Sequence, residues 1–189
     1  MLGKLKLMII AMTAFSALAL APLSFAIDLD QLEARGEVYA VALYTGYQSE
    51  ANYLDRIGRE RAANFMRTRA EAVVAGAELF PLHPTAFSTL DEDNERALMS
   101  AHNETFALVG SEAADVAPNH IAAVQIAYEV WLFGAGKGIG PLTDDGRNWR
   151  LALGRFVDWS ESSGAPALSA NERALPITMS GGSTRTMQN

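Results

Sequence analysis

The sequence predicts an all-α protein, a compact and mostly antiparallel bundle of about five helices, on three observations. Apolar residues recur at three- and four-residue spacing in five separate stretches, the period of a helix with one buried face. No stretch alternates in period two, and Asp145-Gly146 sits inside a helical pattern rather than between β-branched runs, so no hairpin is signalled. Hydrophobic residues at 49% against 20% charged ones supply material for a real core.

The first predicted helix spans Asp30 to Ile57, with Ala40, Leu43, Tyr47, Ala51 and Leu54 as its inner stripe. Gly58 breaks it, and a second helix follows from Arg59 to Glu78 with Ala62, Phe65, Met66, Ala70, Val73 and Val74 inward. Pro81 and Pro84 open a loop. Thr89-Leu90-Asp91-Glu92 reads as a capping box, the threonine oxygen taking a first-turn amide while the glutamate reaches back. The third helix then runs to Val109, burying Leu98, Ala101, Thr105 and Leu108, and stops at Gly110.

The fourth helix is the most informative. Pro118 suits a first-turn position, and from Ile121 to Phe133 only Gln125 and Glu129 are polar. Four residues apart, these two form one narrow ridge on an apolar cylinder, so the helix is expected at the bundle's centre. Gly134 to Pro141 reads as a flexible connection. Thr143 with Asp144 and Asp145 then provides an N-cap and an acidic first turn for a fifth helix, which turns Trp149, Leu153 and Phe156 inward and ends near Trp159. From residue 161 the chain is rich in serine, glycine, proline and alanine, and is expected to be a disordered tail to residue 189.

Ahead of these helices lies an export signal, expected over residues 1–26. Lys4 and Lys6 provide a positive start, no charge occurs from Leu7 to Ile27, and Pro22 breaks the apolar run before Ser24-Phe25-Ala26, whose small residues suit cleavage after Ala26. The chain has no cysteine, which excludes a lipid-modified cysteine, a disulfide and a thiolate metal site. Retention of residues 7–27 as a membrane anchor is the alternative, since about 20 uncharged residues suffice to span a bilayer. A helical domain over 27–160, one ordinary domain in size, follows in either case. Losing the two signal lysines moves the formal charge from −7 to about −9, and Lys137 is then the sole lysine. Such acidity argues against binding phosphate backbones and against electrostatic docking on anionic lipid.

Motifs for chemistry are sparse. Gly134-Ala135-Gly136-Lys137-Gly138 lacks both the preceding strand and the Ser or Thr after the lysine that a phosphate loop needs, and reads as a connector. His83, His102 and His120 share no helical face and no metal-ligand spacing, and His102 is expected as a core histidine. No cofactor is expected. Glu129, flanked by Tyr128, Val130 and Trp131, is the residue to weigh: as a general acid in an apolar setting it would need a second acid such as Asp144 or Asp145 to cleave a glycan. The competing expectation is that it pairs with Arg67, Arg69 or Arg150, or reaches the rim of the bundle.

Tyr47, Ala51, Leu54, Ala63 and Ala70 fall at the large–small–large–small–small offsets of a tetratricopeptide unit, although Arg67 stands where an aromatic is usual and no second unit follows. The chain also resembles the helical region that precedes the OmpA-type peptidoglycan-binding domain in some alphaproteobacterial envelope proteins. The likeness rests on Leu43-Tyr44-Thr45-Gly46-Tyr47 with Ala51, on Arg61 to Val74, on Ile121 to Trp131, and on Asp144-Asp145 with Arg150 and Phe156. It implies a periplasmic helical module. The OmpA-type domain itself is not among the 189 residues, so its peptidoglycan binding and its functional residues are not carried over.

Taken together, these features lead us to expect an exported, non-enzymatic binding or scaffold module of the cell envelope, with an envelope protein or complex as partner and the first hairpin and the tail as contact surfaces. The alternatives are a glycan-cleaving hydrolase using Glu129 and an anchored subunit of a membrane complex.

Overall fold

The structure, a computed structural model, describes residues 29–34, 36–77, 79–139 and 146–164. The expected export signal, Thr143 with Asp144 and Asp145, and the expected tail beyond residue 164 lie outside the described residues; residues 161–163, expected in the tail, instead continue the last helix.

Seven α-helices occur among the described residues: α1 (Leu29–Ala34), α2 (Val38–Arg56), α3 (Glu60–Val74), α4 (Glu92–Val109), α5 (Ala113–Val116), α6 (Pro118–Lys137) and α7 (Arg147–Ser163), with one 3₁₀ turn at Pro84–Ala86. Five of them correspond to the expected helices; α1 is the separated start of the first, and α5 is a short addition. They pack as an all-α bundle around α6, which touches α2, α3, α4, α5 and α7.

The expected helix from Asp30 is interrupted at Gly36, whose φ of +71° lies in the left-handed region that glycine enters without steric penalty. The amide of Glu37 reaches back to the Leu32 carbonyl and that of Gly36 to Glu33, closing α1 before α2 begins. After Gly58 the chain reverses into α3, making an antiparallel helical hairpin. Tyr47, Ala51, Leu54, Ala63 and Ala70 are all fully buried in that hairpin, so the large–small alternation read in the sequence is a packing pattern. Arg67 is held on the surface by Asn64 and Asp55.

Other boundaries differ from expectation: α7 begins at Arg147 behind Gly146, not behind Thr143, and runs to Ser163, past the expected end near Trp159. Asp91, not Thr89, caps α4, accepting the Asn94 amide at 2.8 Å. The Thr89 hydroxyl instead donates to the Gly136 carbonyl. The stretch from Gly134 to Lys137, expected as a connection, continues α6, which ends at Gly138. Packing overrides the poor helix propensity of glycine here: Gly134 and Gly136 are buried, and a Cβ on Gly136 would lie 2.5–2.7 Å from Phe87. Phe87 in turn meets the edges of Phe65 and Phe133, which stack on each other with centroids 4.6 Å apart.

The core runs along the axis of α6, where Ile121, Val124, Tyr128 and Leu132 are fully buried against Leu43 and Leu54 of α2, Met66 of α3, and Leu98 and Leu108 of α4. Each such side chain contributes about 1.5–3 kcal/mol by leaving water. Trp149 and Phe156 bring α7 onto the same core, and the Trp149 indole donates to the buried Thr105 hydroxyl at 3.0 Å. Among the described residues no helix is long and apolar enough to cross a membrane.

Candidate functional site

Two sites involve both α2 and α6, one sealed and one open. The sealed one contains the polar ridge of α6. Gln125 and Glu129 are both fully buried, and the chain surrounds them with partners from three other segments. From α3, the Arg69 guanidinium donates through Nε to Glu129 Oε2 at 2.8 Å and through Nη2 to Oε1 at 2.9 Å. From α2, the Tyr47 hydroxyl donates to Oε2 at 2.8 Å. The loop after α3 sends the Leu82 amide to Oε1 at 3.2 Å, and the Gln125 side-chain amide reaches the same oxygen at 3.3 Å. These donors fill the lone-pair directions of a carboxylate, which is what a buried charge requires.

A second tier extends the network. Tyr39 donates to Gln125 Oε1 at 2.6 Å, while Gln125 donates to the Tyr47 oxygen at 3.2 Å. Arg69 also donates to the Phe80 carbonyl and lies 5.7 Å from the Tyr47 ring centroid. Tyr128 donates to the Leu82 carbonyl at 2.7 Å. Burial, and then the Glu129 charge, push the Tyr39, Tyr47 and Tyr128 phenols well above the ordinary tyrosine range, so they remain donors. Burial pulls Arg69 down, but the Glu129 carboxylate and the Tyr47 oxygen outweigh it and hold the guanidinium above its ordinary range.

Of the three arginines weighed for Glu129 from the sequence, the fold selects Arg69. Arg67 is engaged by Asp55, and Arg150 lies exposed on α7. A carboxylate so engaged has no face open to a substrate. Its suggested partner acids, Asp144 and Asp145, lie outside the described residues.

Two of the three histidines come together and the third lies apart. His83 and His102 meet edge to face, with centroids 4.9 Å apart, and His120 stacks on Trp159 at 5.2 Å. His102 is buried, as expected, with Nδ1 3.4 Å from Asn103 Oδ1. No group of three or more His, Asp or Glu residues among the described residues is placed to hold a metal ion.

The open site is a groove of about 550 Å³ between α2 and α6, with Asn148 of α7 also lining it. Small residues make the space: Ala42 and Gly46 on α2, and Ala122, Ala123 and Ala127 on α6. Ile126 packs against Gly46, where a Cβ would lie 2.4 Å from Ile126 Cδ1. Thr45, Ser49, Tyr53, Asn119 and Asn148 line the rim and are exposed. Glu50 is the one charged side chain among the described residues lining it. It is partly buried, no cation or donor among the described residues engages it, and burial raises its carboxyl above the ordinary glutamate value. Sequence reasoning did not single out Glu50. The signal that marks it is the four-residue step Ala42–Gly46–Glu50 on the side of α2 next to the Leu43–Tyr47–Leu54 stripe.

Comparison of the chain with known protein families, with curated proteins and with solved structures finds no match.

Proposed function

We propose that the chain is an exported, non-enzymatic binding or scaffold module of the cell envelope, delivered by cleavage after Ala26 and acting on an envelope protein through its first helical hairpin. The observation that carries this reading is the α2–α6 groove: a surface trough with hydroxyl and amide groups at its rim and one unneutralised carboxylate, on the hairpin the sequence marks as a contact surface. The resemblance to helical regions that precede OmpA-type domains supports the same compartment.

The state of Glu129 weighs against the hydrolase alternative. A general acid must reach its substrate, whereas both Glu129 oxygens are occupied by Arg69 and by Tyr47 or Leu82 within a fully buried site.

Crosslinking in intact cells followed by purification of the chain tests the proposal, and capture of one or a few defined envelope proteins is the expected result. Recovery of the chain with no envelope protein attached overturns it. N-terminal sequencing of the same material separates the anchored alternative: a start at Ile27 supports the soluble module, and an intact residue 1 supports a chain held by residues 7–27.

A further inference from the structure

The groove also indicates what kind of partner it takes. We propose that the α2–α6 groove receives a lysine or arginine side chain of a partner polypeptide, with Glu50 as the counter-ion and the rim residues Thr45, Ser49, Asn119 and Asn148 binding the partner's backbone. This rests on the binding-module reading and specifies its ligand.

Three features on the molecule favour a basic side chain on a polypeptide. The first is charge. Glu50 is a carboxylate drawn partly out of water with no cation among the described residues to offset it, in a chain whose formal charge is −7. An incoming ammonium or guanidinium restores the interaction that the fold leaves unmade. An incoming acid meets repulsion from Glu50 and from the whole field of the molecule.

The second is shape. Lining residues on α2 extend from Ala42 to Tyr53, about 16 Å at the rise of a helix. A free small amine would leave most of that length empty, whereas an extended tripeptide covers about 10 Å of it. The floor of Ile126 and Val130 suits the methylene stem of lysine or arginine, which packs on apolar surface while its head keeps a charge partner.

The third is the rim. Hydroxyl and carboxamide side chains from α2, α6 and α7 both donate and accept, as a peptide backbone requires. The sealed Glu129 site offers nothing comparable, because its carboxylate already has Arg69.

The test uses the ¹⁵N-labelled protein in the processed form that cells yield, titrated with acetylated and amidated Ala-Lys-Ala and Ala-Arg-Ala. Controls are the uncharged Ala-norleucine-Ala and free cadaverine. The expected result is saturable amide shifts confined to residues 42–53, 119–130 and 148, with the basic peptides binding more tightly than either control. Glu50→Gln should weaken them by about fivefold, the order of a partly exposed ion pair, while its spectrum keeps the native dispersion. Glu50→Asp should recover part of the loss.

Equal binding of the norleucine peptide, or no effect of Glu50→Gln, overturns the proposal. Cadaverine binding as tightly as the peptides also overturns it, in favour of a small-amine site. Failure here is distinguishable from failure of the broader reading. Envelope proteins still crosslinked to the Glu50→Gln chain at wild-type yield would sink the groove proposal and leave the binding module standing. Peptide binding without any crosslinked envelope protein would do the reverse.

Discussion

The Arg69 guanidinium holds the Glu129 carboxylate through two near-parallel hydrogen bonds, of 2.8 and 2.9 Å, where α2, α3 and α6 meet. Glu129 is fully enclosed, whereas the Arg69 side chain keeps 14% of its surface exposed. The pair therefore lies at the edge of the core, with the cation on the wet side. The loop after α3 is fastened to the same point through the Leu82 amide and the Phe80 carbonyl. Three helices and a loop thus depend on one buried charge.

Removing either partner should be costly, because the other is left buried and uncompensated. Glu129→Gln and Arg69→Met are each expected to lose about 3 kcal/mol of unfolding free energy in urea titrations. The double replacement Arg69→Met with Glu129→Leu, apolar on both sides, should lose less than the sum of the two single changes. Additive losses would show that the two side chains act independently, contrary to the geometry.

The phenols around this pair give a pH signature. Tyr39, Tyr47 and Tyr128 keep their protons in the folded state well above the ordinary tyrosine value of about 10, at which the unfolded chain releases them. Above that value the folded state binds more protons than the unfolded one, so stability falls as pH rises. The alkaline slope of stability against pH should flatten with each Tyr→Phe change. At neutral pH Tyr47→Phe should cost about 1–3 kcal/mol, since its hydroxyl serves both Glu129 and Gln125. Tyr39→Phe, which loses a single bond to Gln125, should cost about 1 kcal/mol.

Much of this arrangement was legible in the sequence, and the rest was not for physical reasons. Apolar spacing located the five main helices and the inner stripes of α2 and α4, because a 3.6-residue period is a local property. The isolation of Gln125 and Glu129 on an apolar helix marked α6 as central. Which arginine reaches Glu129 depends on how α3 lies against α6, and three candidates were equivalent by sequence alone. Tyr47 reads as a core aromatic and Tyr39 falls outside the stripe, and spacing does not reveal where a hydroxyl points. Two of the misplaced boundaries involve glycine. Gly36 lies inside a continuous apolar pattern, and Gly134 to Lys137 reads as a breaker by composition, although Phe87, some 50 residues away, fills the space that makes glycine necessary there. Glu50 stayed hidden because a carboxylate on an amphipathic helix looks like any solvated one until the neighbouring helix is in place.

Glu50 predicts a stability effect of the opposite kind to that of Glu129. Burial raises its carboxyl above the ordinary value, so the folded chain keeps this proton to higher pH than the unfolded chain does. The contribution is fully present below the unfolded value of about pH 4 and is lost as pH rises through the folded value, because ionisation then charges a carboxylate that no cation among the described residues offsets. Glu50→Gln should therefore raise the thermal midpoint at neutral pH and leave it nearly unchanged at about pH 3. The groove's partial exposure keeps the gain small. A fall in the midpoint at neutral pH would mean that the Glu50 carboxylate is neutralised within the free protein.

Two glycines in helices give a final contrast that depends on packing alone. Gly154 lies within α7, and a Cβ there meets nothing within 4 Å. Alanine at that position removes backbone freedom from the unfolded chain without a clash, and should stabilise by about 0.5–1 kcal/mol. Gly136 lies in the last turn of α6, where a Cβ would approach the Phe87 ring and its Cβ at 2.5–2.7 Å. Phe87 has little room to retreat, being packed edge-on to both Phe65 and Phe133. The Gly136 carbonyl is also the acceptor for Thr89, so any shift of the turn disturbs the entry to α4. Gly136→Ala should thus cost about 1–3 kcal/mol despite the better helix propensity of alanine. Urea unfolding of the two variants, run side by side, should move the midpoint in opposite directions. Stabilisation by both would show that α6 ends before Gly136 in solution and that the Phe87 contact does not form.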